Sequence, residues 1–312
     1  MGKVNFKGRS FVALTDYTPE EIWHLLKRTE ELKKLNKRGK NQPLLKGKTL
    51  GMIFQKSSTR TRVSFEVAMF QLGGHALFLS GSDLQLKRGE TIADTARVMS
   101  RYLDGIMARV FAHQDILDLA KYSSIPVINA LSDYNHPCQG LTDIFTIYEK
   151  GKDLRKTKMA YVGDGNNMVH TLIAAMVKVG GKIAVATPKG YEPNPEAVRL
   201  GKEIAQKTGG SVEILNDPTT AVKDADVIYT DTWASMGQEA EHAKRVIAFK
   251  GYQVNNALLK HAKNDVMVMH CLPAHRGEEI TDEVMDGPHS IVFDQAENRL
   301  HTQKAILAEV MG

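Results

Sequence analysis

Short apolar runs alternate with amphipathic ones along most of the chain. In the first half the runs "KTLGMIF", "ALFLSG", "GIMARVF" and "PVINAL" have the length of buried strands. Each is followed by a segment with apolar residues at helical spacing, such as Val63, Val67, Ala68 and Phe70 after the first. Ahead of them, "YTPEEIWHLLKRTEELKKL" predicts a helix, with a capping box from Thr18 to Glu21 and Pro19 at its first position. The polar stretch "KGKDLRKTK" interrupts the pattern near residue 150. It then resumes with strands in "MAYVGDG", "KIAVATP", "SVEIL", "DVIYTDT" and "VMVMHCL", and with "SIVFDQ" as a last strand before one closing helix, "ENRLHTQKAILAEVMG". Strand and helix in alternation predict an α/β protein of two doubly wound parallel-sheet domains, residues 1–149 and 150–295, with residues 296–312 as a C-terminal helix.

Open parallel sheets bind ligands beyond the carboxyl ends of their strands, so the residues that follow each strand are the candidates for chemistry. After the first strand come Ser57, Ser58, Thr59, Arg60, Thr61 and Arg62; after "GIMA" comes Arg109; after "PVINALSDY" come His136, Pro137, Cys138 and Gln139. The second half contributes "GNNM", "DTWASMG" and "HCLPAHRG" at the corresponding places. "SSTRTR" at a strand-to-helix turn combines helix N–H groups, hydroxyls and guanidiniums, a set suited to a phosphate, with a capped helix and solvated arginines as the lesser alternative. It lacks the Gly-Lys-Ser/Thr of a P-loop. "YVGDGNNMVHTL" has Met168 where a dinucleotide fingerprint needs its third glycine, and "KIAVATP" ends on no acidic residue. Asn166 and Asn167 there are suited to helix capping or to a substrate carboxylate.

Composition narrows the class. The 312 residues are 42% hydrophobic, enough for about two globular cores. No apolar stretch nears the roughly 20 residues of a membrane span, and the start "MGKVNFKGRS" has no secretory apolar region, so a cytoplasmic protein is expected. The net charge of +5 is spread over helix faces such as "LLKRTEELKKLNKRGK", where acids are interspersed, so nucleic acid is not an expected partner. Two cysteines, Cys138 and Cys271, form no disulfide framework. With His136 and His270 they lack the usual zinc spacings, and no metal is expected. Cys271 is a candidate for a nucleophilic role or for a small buried filler.

Taken in order, "STRTR", "HPCQ", "DTWASMG" and "HCLP" resemble the ornithine carbamoyltransferases over nearly the whole chain. The resemblance implies transfer of a carbamoyl group from carbamoyl phosphate to the side-chain amine of L-ornithine, without a cofactor, in a cleft between the two domains. It assigns Ser58, Thr59, Arg60, Thr61 and Arg109 to carbamoyl phosphate, with Arg62 as support. It assigns His136 and Gln139 to the carbamoyl group, together with Pro137 and Cys138 beside them, the backbone at Cys271 and Leu272, and Arg299. The closing helix is implied to pack back on the first domain. Gln85 matches a position that reaches a neighbouring subunit's ligand, which implies a homotrimer with shared active sites and allows higher assemblies. Asn167, Asp231, Ser235 and Met236 match residues that bind ornithine, and Cys271 matches the residue beside its side-chain amine. Arg60, Arg109, His136 and Cys271 are the catalytic candidates. The acceptor motifs of aspartate carbamoyltransferases do not resemble "DTWASMG" and "HCLP", and putrescine carbamoyltransferases lack the Ser-Met-Gly loop. A non-catalytic anion-binding protein that keeps the fold is the alternative from another class.

Overall fold

The computed structural model describes residues 4–85, 89–234 and 239–312. It divides into two compact units, one of Met1–Phe145 with Asn298–Gly312 and one of Thr146–Glu297.

The first unit opens with α1 (Pro19–Lys37), whose N-terminus carries the capping box the sequence predicts. Thr18 Oγ1 accepts from the Glu21 amide, and Glu21 accepts from that of Thr18. There follow β1 (Thr49–Phe54), α2 (Thr59–Gln71), β2 (His75–Ser80), α3 (Ile92–Met99), β3 (Gly105–Arg109), α4 (His113–Tyr122), β4 (Val127–Leu131) and α5 (Pro137–Glu149). The sheet is parallel in the order β2-β1-β3-β4. β1 and β3 are continuous apolar runs because both of their faces are covered. β2 is an edge strand with Leu77 and Phe78 exposed. The chain steps outward from β1 to β2, then returns across β1 to β3, so the order reverses between β1 and β3. At such a reversal the crossovers leave for opposite faces of the sheet and open a crevice at the carboxyl ends.

The second unit repeats the device with five parallel strands in the order β7-β6-β5-β8-β9. The strands are β5 (Lys158–Val162), β6 (Lys182–Ala186), β7 (Ser211–Leu215), β8 (Val227–Thr230) and β9 (Met267–His270). Between them lie α6 (Asn167–Lys178), α7 (Pro195–Thr208), α8 (Pro218–Val222), α9 (His242–Ala248) and α10 (Asn256–Leu259), with α11 (Asp282–Met285) after β9. Here the order reverses between β5 and β8, which pair directly.

The expected strand "SIVFDQ" is not a strand. Ser290 makes a single bridge to Val268, and the chain enters α12 (Val292–Met311) two residues later. Ile291, Val292 and Gln295 are buried while Phe293 is exposed, which is the period of a helix; three apolar residues are too few to reveal it. α12 buries an unusually polar set, and several of its members pair within the first unit. Lys33 Nζ donates to Asn298 at 2.6 Å, Thr142 and Thr302 share a 2.6 Å hydrogen bond, and Lys304 Nζ donates to Asn36 at 3.1 Å. No helix among the described residues is long and apolar enough to cross a membrane.

One buried ion pair anchors α9 in the second unit. Arg245 meets Asp164 at 3.0 Å and donates to the Trp233 carbonyl at 2.8 Å, with both charged side chains 8% exposed. Burial lifts the Asp164 carboxyl from 3.8 to about 6, against the pull of Arg245. Folded Asp164 thus holds its proton to higher pH than the unfolded chain does, so it works against folding as pH rises through that window. Arg245→Leu removes the opposing cation and carries the carboxyl higher still. The variant is expected to cost about 3–5 kcal/mol at pH 8, where a charge is left buried alone, and clearly less at pH 5. Denaturant unfolding at the two pH values measures this; equal losses would assign the cost to packing.

Candidate functional site

The first unit gathers its candidates at the β1/β3 reversal. Ser58 caps α2, its Oγ accepting from the Thr61 amide at 3.3 Å, so the motif "STRTR" forms the first turn of that helix. Arg109 ends β3 at a register shift against β4, where Ala108 pairs with Asn129 and Arg109 with Leu131. Such an irregularity re-aims a side chain at the end of a strand, and Arg109 is 6% exposed.

His136 follows β4 in a turn held by buried polar groups. Ser132 N donates to the Asn135 carbonyl at 2.9 Å, and Asn129 Nδ2 donates both to Asn135 Oδ1 and, at 3.1 Å, to the Val12 carbonyl. Pro137 then starts α5, and the amides of Gln139 and Gly140 fold back on the His136 carbonyl. Cys138 is buried, with Sγ donating to the Asn129 carbonyl at 3.4 Å, and burial pushes its thiol up to about 12. It is a packing residue at this turn.

Arg299, on α12, ties these pieces together. Its Nη1 donates to Gln139 Oε1 at 2.8 Å, Nη2 to Thr61 Oγ1 at 3.3 Å, and Nε to Gln303 Oε1 at 2.9 Å. Gln139 donates in turn to Asp143, and Gln303 to Ser64 on α2. Burial holds the His136 imidazole well below the usual histidine range, and the charges of Arg299, Arg109 and Arg60 push it the same way. The result is a neutral imidazole in a positive field, a setting for an anion beside a polar uncharged group. Arg62 instead faces outward, bonded to Glu66 at 3.0 Å with its guanidinium 3.9 Å from the Phe78 ring centroid. Gln85 is exposed beyond the end of β2.

The second unit gathers its own set at the β5/β8 reversal. After β5, Gly165 lies so close to Tyr191–Pro193 that a Cβ would sit 2.3 Å from a backbone atom, and this contact sets the start of α6. Asn166 takes the cap, its Oδ1 accepting from Met168 N at 2.9 Å, and Asn167 is the first helical residue. Asn166 Nδ2 donates to Asp231 Oδ2 at 3.0 Å. Asp231, just past β8 and 7% exposed, also accepts from Thr232 N at 2.8 Å and from Cys271 Sγ at 3.1 Å. Ser235 and Met236 lie outside the described residues.

His270 supports Cys271 from within β9. Its Nδ1 accepts from Leu272 N at 2.8 Å while Nε2 donates to Glu279 at 3.0 Å, an assignment that leaves the ring neutral. Leu272 adopts a left-handed φ of 59°, which turns the backbone sharply at the sheet's carboxyl edge. Asp231, His270 and Cys271 offer ligand atoms within 4.8 Å of one another. Several supporting residues escaped sequence reasoning: Asn129, Asp164, Arg245, Glu279 and Gln303. Asn129 inside the apolar "PVINAL" was the one visible signal.

Two family models match the chain, "Aspartate/ornithine carbamoyltransferase, carbamoyl-P binding domain" over residues 9–149 and "Aspartate/ornithine carbamoyltransferase, Asp/Orn binding domain" over residues 155–310. The ornithine carbamoyltransferase of Pyrococcus horikoshii is 62% identical over 99% of this chain and 98% of its own length. That of Anoxybacillus flavithermus is 56% identical over 99% and 98%. The solved ornithine carbamoyltransferase of Pyrococcus furiosus superposes with a TM-score of 0.97 at 61% identity, covering 99% of both chains. The one from Thermus thermophilus gives 0.87 at 41%, covering 97% of this chain and 99% of its own. With both family models spanning it and relatives this similar over its whole length, the chain belongs to the aspartate/ornithine carbamoyltransferase family.

Proposed function

We infer that the protein transfers the carbamoyl group of carbamoyl phosphate to the side-chain amine of L-ornithine, giving L-citrulline and phosphate. The observation that carries this reading is the neutral His136 buried in the field of Arg60, Arg109 and Arg299. In this reading Ser58, Thr59, Arg60, Thr61 and Arg109 hold the phosphate of the donor, with the first turn of α2 supplying N–H groups toward the anion. His136, Gln139 and Arg299 orient the carbamoyl group, helped by backbone at Cys271 and Leu272. Asn167 and Asp231 hold the amino-acid end of ornithine, with Ser235 and Met236, and Cys271 lies beside its side-chain amine.

The chemistry is redox-neutral and needs no cofactor. A C–N bond forms between the ornithine amine and the carbamoyl carbon, the C–O bond to phosphate breaks, and the amine proton leaves on a phosphate oxygen. A lysine-like amine with a pKa of about 10 is mostly protonated in water, so the site must favour its neutral form. Desolvation and neighbouring cations do so. As the amine attacks, Arg109, Thr61 and neutral His136 donate to the developing oxyanion. Neutrality matters at His136: an imidazole kept uncharged donates a hydrogen bond without adding a fourth cation to the donor site.

The same reading makes the protein a homotrimer whose Gln85 reaches a neighbouring subunit's donor. Exposed Val63, Phe70, Leu77 and Phe78 on α2 and the edge strand β2 support such an assembly, since apolar surface beside an open sheet edge favours a partner. The Pyrococcus furiosus relative is named an anabolic enzyme, and a cytoplasmic role in arginine biosynthesis fits this chain.

Citrulline formation with L-ornithine, putrescine and L-aspartate run in parallel tests the assignment. Ornithine is expected to be strongly preferred; preference for putrescine would leave the donor site intact and overturn the roles of Asn167 and Asp231. Arg60→Ala is expected to lower kcat/KM by about 100- to 1,000-fold through loss of the phosphate clamp, and unchanged donor affinity and rate would refute that role. Cys271→Ser keeps a donor toward Asp231 and is expected to lose about 10-fold or less. A variant with parental rate at every pH would make the thiol incidental.

A further inference from the structure

We propose that the second unit carries a divalent transition-metal site, with His242, His275 and Glu278 as ligands and Glu279 as the buried carboxylate behind them. His242 is the first residue of α9, and the other three lie in the turn that follows β9 and Cys271. His242 Nε2 lies 3.0 and 3.1 Å from the two Glu278 oxygens, and His275 Nδ1 lies 3.8 Å from one of them. The imidazole centroids are 6.4 Å apart with rings at 78°. Nitrogen and oxygen ligands bound ~2.0–2.2 Å from a tetrahedral ion stand about 3.3 Å apart. The two histidine–Glu278 spacings lie close to that distance, and the imidazoles, 6.4 Å apart at their centroids, turn toward each other to share one ion.

Three features separate this cluster from an ordinary surface ion pair. Two imidazoles converge on one carboxylate, whereas a simple pair needs one. Glu279 is fully buried, and its ligand atom lies within 4.8 Å of those of His275 and Glu278. Its Oε1 already accepts from His270 Nε2 and the His275 amide, yet Oε2 has no hydrogen-bond donor among the described residues. A buried carboxylate oxygen without a donor is costly, and a cation beside it removes that cost. Meanwhile His242 and His275 are 45% exposed and Glu278 31%, so an ion can reach them from solvent. Two imidazoles with carboxylate favour Zn2+, Ni2+ or Cu2+ over Mg2+ or Ca2+. The bound ion would pin α9 to the turn after Cys271.

The competing cluster is Asp231, His270 and Cys271, which a thiolate spectrum distinguishes. Zn2+ competition against a chromophoric indicator, with Co2+ absorption in parallel, is run on the full chain and on Cys271→Ser, Glu278→Gln and a His242→Ala/His275→Ala double variant. One equivalent per chain is expected to persist in Cys271→Ser, with Co2+ showing ligand-field bands and no thiolate charge-transfer band. Glu278→Gln and the double variant should each weaken binding by at least about 10-fold, with unchanged circular dichroism in the absence of metal. Loss of the equivalent in Cys271→Ser, or parental affinity in the double variant, overturns the proposal.

Discussion

The donor half of this protein depends on the guanidinium of Arg299. It is nearly fully buried, and it spends its three nitrogens on three different elements: the first turn of α2, the first turn of α5, and the next turn of its own helix. Thr61 and Gln139 are themselves proposed ligand groups, so one cation sets the rotamers of two others. Its charge also reaches His136 and helps to keep that ring neutral. A lysine in its place would be a point charge with no planar fork, unable to satisfy three acceptors lying in different directions.

The acceptor half is organised by the opposite charge. Asp231 sits where the sheet order reverses, and three donors converge on its carboxylate: the Asn166 amide, the Thr232 backbone and the Cys271 thiol. Each comes from the carboxyl end of a different strand connection, so the carboxylate joins the ends of β5, β8 and β9. In the proposed function, one unit offers focused positive charge to a phosphate and the other a carboxylate to an ammonium. This division of labour is what a transferase with a polyanionic donor and a cationic acceptor requires.

Most of this was legible because parallel sheets advertise themselves. Strands buried on both faces read as unbroken apolar runs, and the polar residues after each run must lie on one edge. All nine strands were visible as separate apolar runs, and so were Ser58, Arg109, His136 and Asp231 after them. What stayed hidden was of two kinds. "SIVFDQ" carries too few residues for periodicity to tell strand from helix, and burial of Gln295 against exposure of Phe293 settles it only in three dimensions. The supporting polar pairs were invisible because they join residues distant in sequence: Arg245 with Asp164, His270 with Glu279, and Arg299 with Thr61. Nothing in the local pattern distinguishes such an arginine or glutamate from one that faces water.

The first unit is discontinuous along the chain, since residues 298–312 return to it after the whole second unit has been made. During synthesis the strands, α2 and α5 leave the ribosome long before Arg299 does. Thr61 and Gln139 must wait, with their partner still untranslated, until residues 298–312 emerge. A chain that stops short of Arg299 therefore carries the "STRTR" signature without the guanidinium that joins Thr61 to Gln139.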